Sequence, residues 1–262
     1  MPYVYLKLAD LKNRARRIAR EDGVPRQHAH DLAAQRGGYQ NYAHALRLLP
    51  VGDAPERFAV EIRQRWRERE PRRWGDASFS VALASPLDVL LRPHQFVEYL
   101  AGCETSGPTT LVSDGFMRDL DETRIDIGKI ARALQFIDAT GLRPSSARRI
   151  YPKGSWYNRP PIADHDHGWY DAEARVHILS TEPYRDDAAT LPEQLAWEEK
   201  WGWATLPIAW GSMYGFGTSL YLLCPKAYLP RLREKAARLE AGPLAVVTDV
   251  IEIADRFVRA AA

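Results

Sequence analysis

Apolar residues three and four positions apart open the chain. Leu8, Leu11, Ala15 and Ile18 share one stripe with Lys12, Arg14, Arg16, Arg17 and Arg20 around it, which predicts a helix over residues 8–22. Gly23 is a natural stop. Pro25 suits the first turn of a second helix, which runs to Arg36 with Ala29, Leu32 and Ala33 inward and ends at Gly37-Gly38. A short third helix, 41–49, buries Tyr42, Ala45, Leu46 and Leu49, and Pro50, Gly52 and Pro55 read as a linker. The period then becomes that of a strand. Phe58, Val60, Ile62 and Trp66 alternate with Arg57, Glu61, Arg63, Arg65 and Arg67, and Phe79, Val81 and Leu83 alternate after a turn at 71–75, so a β-hairpin is expected.

Further along, helices are expected near 94–101, 126–140, 191–200 and 226–240, and strands over 175–181, 204–210 and 218–224. Residues 143–171 form a long irregular stretch rich in Pro, Asn and Gly. Leu244, Val247, Ile251, Ala254 and Val258 lie on one seam of an expected last helix, 244–261, that docks on the body or joins two copies. The expected fold is α+β (mixed α/β). A basic three-helix module (1–50) and a linker (51–56) precede an α/β body (57–262) that carries the aromatic loop 143–171 and the C-terminal helix.

Of the 262 residues, 45% are hydrophobic and 27% charged, enough for a packed core. Cys103 and Cys224 are far apart and in no metal-ligand spacing, which excludes a disulfide framework and argues against a Cys-based zinc site. No signal-peptide core or membrane-length apolar run occurs, so a cytoplasmic protein is expected. Charge is uneven. The first 75 residues carry 16 Lys/Arg against 9 Asp/Glu, the remainder 20 against 25, which points the N-terminal part toward a polyanion or an acidic partner.

Four constellations carry candidate chemistry. The three short helices allow a helix-turn-helix arrangement in which Gln40, Asn41, His44 and Arg47 meet base edges while Lys12, Arg16, Arg17 and Arg20 hold phosphates. Arg63, Arg65 and Arg67 form a basic strand face suited to a phosphate backbone, or else protect an edge strand from pairing. In the long loop, Trp156, Tyr157, Arg159 and Trp169, with Tyr184 beyond it, suit stacking on a base or gripping an anion; Arg148, Arg149, Lys153 and Tyr170 lie in the same stretch. Asp164, His165 and His167 could contribute to a divalent-metal site, joined by His177, Asp171 or Glu182, with Asp166 and Glu182 as catalytic carboxylates. The run Gly211–Gly217 is a turn rather than a P-loop, because no Gly-Lys-Ser/Thr follows it.

Residues 11–25 and 38–45 resemble a helical leader at the front of varied bacterial plasmid and mobile-element proteins. The segments 134–145, 164–171 and 181–184 and the region of Met213-Tyr214 resemble a bacterial family known only as a domain of unknown function. The resemblance implies a bacterial cytoplasmic protein near mobile DNA and assigns no activity. The leading expectation is therefore a nucleic-acid-binding accessory protein of a mobile element, contacting DNA or RNA, with no cofactor firmly implied. Beside it stand a metal-dependent hydrolase or nuclease using the 164–167 loop, and a toxin, antitoxin or adaptor that meets a protein through the N-terminal helices or the last helix.

Overall fold

The structure is a computed structural model and describes residues 8–49, 57–69, 73–245 and 251–257. In chain order its elements begin with α1 (Leu8–Glu21), α2 (Arg26–Arg36), α3 (Tyr42–Leu48), β1 (Phe58–Glu68), β2 (Arg73–Leu83), α4 (Leu87–Leu90), β3 (Cys103–Thr105), β4 (Thr110–Met117) and α5 (Leu120–Thr140). They continue with β5 (Arg143–Pro144), β6 (His167–Asp171), β7 (Val176–Thr181), α6 (Pro192–Trp201), β8 (Trp203–Pro207), β9 (Tyr221–Pro225), α7 (Leu229–Glu240) and β10 (Ile251–Phe257). This is an α+β fold. Among the described residues no helix is long and apolar enough to cross a membrane.

The chain divides into two compact units, one of residues 1–89, 102–131 and 245–262, the other of 90–101 and 132–244. Each has its own five-stranded sheet, where the sequence suggested one body. In the first unit, Leu11, Ala15, Ile18, Ala29, Ala33 and Ala45 close a core of the three N-terminal helices, as their helical spacing predicts. The sheet beyond has the order β10-β2-β1-β4-β3, with β1 and β4 parallel and the other neighbours antiparallel. Alternation along β1 buries Val60, Ile62 and Trp66 and exposes Arg63, Arg65 and Arg67. Because β1 lies between β2 and β4, these arginines cover a sheet face and do not guard an edge.

The second sheet, β5-β6-β7-β9-β8, is antiparallel throughout. Leu179, Tyr221 and Leu223 pack with Trp197, Trp203, Ile150 and Ile162 in one cluster. Trp169 is buried against Phe136 of α5, with ring centres 4.4 Å apart.

Several expectations are corrected. The helix near 94–101 is two single 3-10 turns, Pro93–Gln95 and Glu98–Leu100, because Glu98 has φ 56° and reverses the chain. Helix α5 starts at Leu120, ahead of the expected 126, because the Asp119 carboxylate accepts the Glu122 amide at 2.7 Å and caps it. Strands β3 and β4 went unpredicted; β3 has three residues and no apolar alternation. The expected last helix, 244–261, is not seen among the described residues: Leu244 and Ala245 are not helical, and 251–257 pair with β2 as β10. Ile251 and Ile253 are β-branched, and pairing with β2 outweighs the heptad-like spacing there. Residues 246–250 and 258–262, like the expected linker 51–56, lie outside the described residues.

Candidate anion-binding site

In the second unit, at the turn end of the β6–β7 hairpin, lies a cavity of about 490 Å³ lined by His94, Arg143, Arg149, Tyr170, Arg175 and His177 with small and polar neighbours. Strand β5 brings Arg143 to its wall by pairing it with Tyr170, and Ser145 just beyond β5 lies directly on Gly168. The Ser145 amide donates to the Gly168 carbonyl at 2.9 Å, and a Cβ on Gly168 would sit 2.1 Å from the Ser145 carbonyl oxygen, so only glycine admits this approach. The chain then turns through Arg148–Ile150, whose buried Ile150 anchors it and leaves Arg149 on the surface. Arg175 enters from the hairpin turn with φ 59°, an unfavourable conformation for any residue that carries a Cβ. Tyr170 and His177 face each other across the ladder with ring centres 4.7 Å apart.

The charge on this cavity is one-sided, since no Asp or Glu lines it. Among the described residues, Arg143, Arg149 and Arg175 make no ion pair. Burial, with Arg92 adding to it, pushes the Arg143 guanidinium below its ordinary pKa. Burial and then Arg149 push the His177 imidazole down, and its Nδ1 is buried with no partner. Asp171, the residue after Tyr170, is committed elsewhere. It accepts from the Tyr228 hydroxyl (2.5 Å), the Glu173 and Ala174 amides, and Arg231 at 3.1 Å, and lies 3.4 Å from Lys235. Burial alone would raise its carboxyl, but the Tyr228 hydrogen bond, the amides and Lys235 hold it down to about 2. Uncompensated arginines around a partly enclosed space are what a phosphate or another oxyanion requires.

The Asp164–His167 run does not converge. Asp164 lies 3.7 Å from His165, whose ring stacks on Tyr214, while His167 Nδ1 lies 3.1 Å from Glu98 and its ring packs on Tyr99. Asp166 is turned inward to the Tyr151 hydroxyl (3.2 Å) and Arg159 (3.4 Å), and burial raises its pKa against the opposing Thr181, Arg159 and Tyr151. Among the described residues no three His, Cys, Asp or Glu side chains form a metal-binding group. Glu182 is fully buried. Its carboxylate accepts from Tyr99 (2.9 Å), Ser212 (2.5 Å) and the Tyr214 amide (3.0 Å), while Arg132 donates to the Met213 carbonyl beside it. Glu182 thus holds the 211–218 loop in place and is shielded from solvent.

Of the stacking candidates, Trp169 is a core residue whose indole N–H donates to Ser180 at 2.8 Å. Trp156, Tyr157 and Tyr184 are exposed, and Arg159 lies over the Trp156 ring. In the three-helix module, Lys12, Arg16, Arg17 and Arg20 are exposed along α1. The reading helix fares worse: α3 has seven residues, Asn41 caps it by accepting the His44 amide, and His44 Nδ1 accepts the Gln40 amide. Arg47 is exposed, but Asn41 and His44 are occupied in holding the turn. On β1, Arg63 pairs with Glu61 at 2.8 Å and Arg65 with Asp76 at 3.7 Å, and Arg67 is exposed.

Arg149 and Tyr170 were visible as loop residues, and His177 as an extra ligand. Arg143, Arg175 and His94 went unnoticed, because a β-strand pairing and a hairpin turn bring them together from three distant segments. No protein family, curated protein or solved structure matches the chain.

Proposed function

We propose that this protein binds a phosphate ester in the arginine-lined cavity of its second unit, as a nucleic-acid-binding accessory protein that grips a phosphate group. The observation that carries this reading is the convergence of Arg143, Arg149 and Arg175 on one cavity with no carboxylate in its lining. The phosphate could belong to a mononucleotide or to a nucleic-acid strand. The two share their chemistry, and they differ in whether the exposed Lys12, Arg16, Arg17 and Arg20 of α1 add to affinity.

Isothermal titration with inorganic phosphate, a nucleoside 5′-phosphate, the free nucleoside and single-stranded DNA with and without a 5′-phosphate tests the reading. Binding of the phosphorylated probes that is lost by the nucleoside and weakened in Arg143→Ala and Arg149→Ala supports it. Equal binding of nucleoside and nucleotide would overturn it. A strand held by the cavity alone, at most three cations, loses affinity with salt at a log–log slope no steeper than about −2, and a steeper slope brings in α1.

A further inference from the structure

At the other end of the same hairpin, three rings gather around Tyr214. His165 stacks on it with ring centres 3.6 Å apart and planes 15° apart. Tyr184 stands nearly perpendicular, 5.7 Å from His165 and 6.4 Å from Tyr214, and Phe216 lies 5.6 Å from Tyr214. Tyr184 and Phe216 are 58% and 57% exposed, which is unusual for large rings that a core would otherwise take.

This exposure is imposed by the backbone. His165 has φ 47° and Phe216 φ 58°, both left-handed and unfavourable for such side chains, and Phe216 is flanked by Gly215 and Gly217, which accept that region readily. Beneath the loop, the buried Glu182 fixes the Tyr214 amide. Non-glycine backbone strain held in place by surrounding structure clusters at active sites, ligand clamps and switch regions.

The charge around the rings decides the ligand. Asp164, with a side chain 46% exposed, is within 3.7 Å of His165, while the Arg132 guanidinium beneath the loop is taken up by the Met213 and Tyr214 carbonyls. Among the described residues Asp164 pairs with no Arg or Lys, and Arg185 is already held by Asp187. A nucleobase would bring its phosphate toward this carboxylate, whereas a planar cation gains from both rings and charge.

We propose that the Tyr214 patch is a second binding site, for a guanidinium group presented by an arginine of a partner protein, laid against Tyr184 and Phe216 and neutralised by Asp164. This rests on different residues from the phosphate site, about 17 Å away along β7 at the rise of a β-strand.

The test is an NMR titration of the full chain with N-acetyl-arginine methylamide, its neutral citrulline counterpart and adenosine, following the signals of Tyr184, Tyr214 and Phe216. The expected result is a saturable shift with the arginine probe, at least about tenfold weaker with citrulline, and lost in Tyr184→Ala and Phe216→Gly while the remaining amide spectrum is unchanged. Asp164→Asn weakens it about three- to tenfold. Equal shifts with citrulline, tighter binding of adenosine, or no saturable shift with any probe would each overturn the proposal. Phosphate titration at the cavity is read separately, so failure of either site leaves the other standing.

Discussion

Two ends of one β-hairpin carry opposite chemistry. At the turn end of β6–β7, three arginines and two histidines surround a cavity with no carboxylate in its lining. At the open end, aromatic rings stand beside the Asp164 carboxylate, which among the described residues pairs with no Arg or Lys. Both ends are built with backbone strain. Among the described residues the five non-glycine residues with left-handed φ are Glu98, Lys153, His165, Arg175 and Phe216, and all belong to the second unit. The first unit, whose basic character drew attention in the sequence, neutralises part of that charge in pairs such as Arg63–Glu61 and Arg65–Asp76. Net charge counted along a sequence therefore does not say which cations have partners, and on α1 Lys12, Arg17 and Arg20 remain exposed.

The comparison can be broken most sharply at the backbone. Gly168→Ala forces a Cβ against the Ser145 carbonyl and should cost ~3 kcal/mol or more, lowering the melting temperature by roughly 10 °C and abolishing phosphate binding. A melting temperature within a degree or so of the parent would remove that contact as the device positioning Arg143. Next comes Asp171→Asn, which leaves Lys235 and Arg231 beside a neutral group and should destabilise by about 2–3 kcal/mol at neutral pH. The Asp171 carboxyl is held down to about 2, so the stability it contributes is complete above the ordinary 3.8 and is lost as pH falls toward 2. Chemical denaturation between pH 5 and about 2 should therefore show a shallower acid limb in the variant.

A smaller effect is expected at the cavity itself. Arg149→Ala should weaken phosphate about tenfold, near 1.4 kcal/mol, with the melting temperature unchanged or slightly raised because like charges are relieved. Phe216→Gly should stabilise the protein by about 1 kcal/mol as the left-handed strain is released, read by thermal unfolding, while removing the arginine probe's shifts. Last is His177. Burial and Arg149 keep its folded pKa below 6.5, so the unfolded chain takes up this proton first; the associated stability is complete above 6.5 and is lost as pH drops below it. Arg149→Ala should move the His177 imidazole NMR titration upward, and bound phosphate should do the same. An unmoved titration in both cases would separate His177 from the cavity's charge.

The sequence by itself determined the local elements with a strong period. The three N-terminal helices, the β1–β2 hairpin and helices α5, α6 and α7 follow from apolar spacing and from Gly and Pro punctuation, which act between neighbouring residues. It also marked Glu182, Tyr184 and the 164–167 run as unusual, though not what each does. Only the tertiary structure decided that residues 251–257 become a strand, because strand formation depended on a partner edge on β2 that periodicity cannot register. It likewise decided that Trp169 and Glu182 are buried while Tyr184 is exposed, since burial depends on which face meets a neighbouring layer. The two candidate sites belong to the same class of facts. Arg143 and Arg149 come from one segment and Arg175 from another, and they meet because Gly168 lets the 143–145 stretch lie on β6; the rings around Tyr214 meet because a buried carboxylate fixes a distant loop. Contacts of that range are set by packing and hydrogen bonding in three dimensions, and no spacing along the chain encodes them.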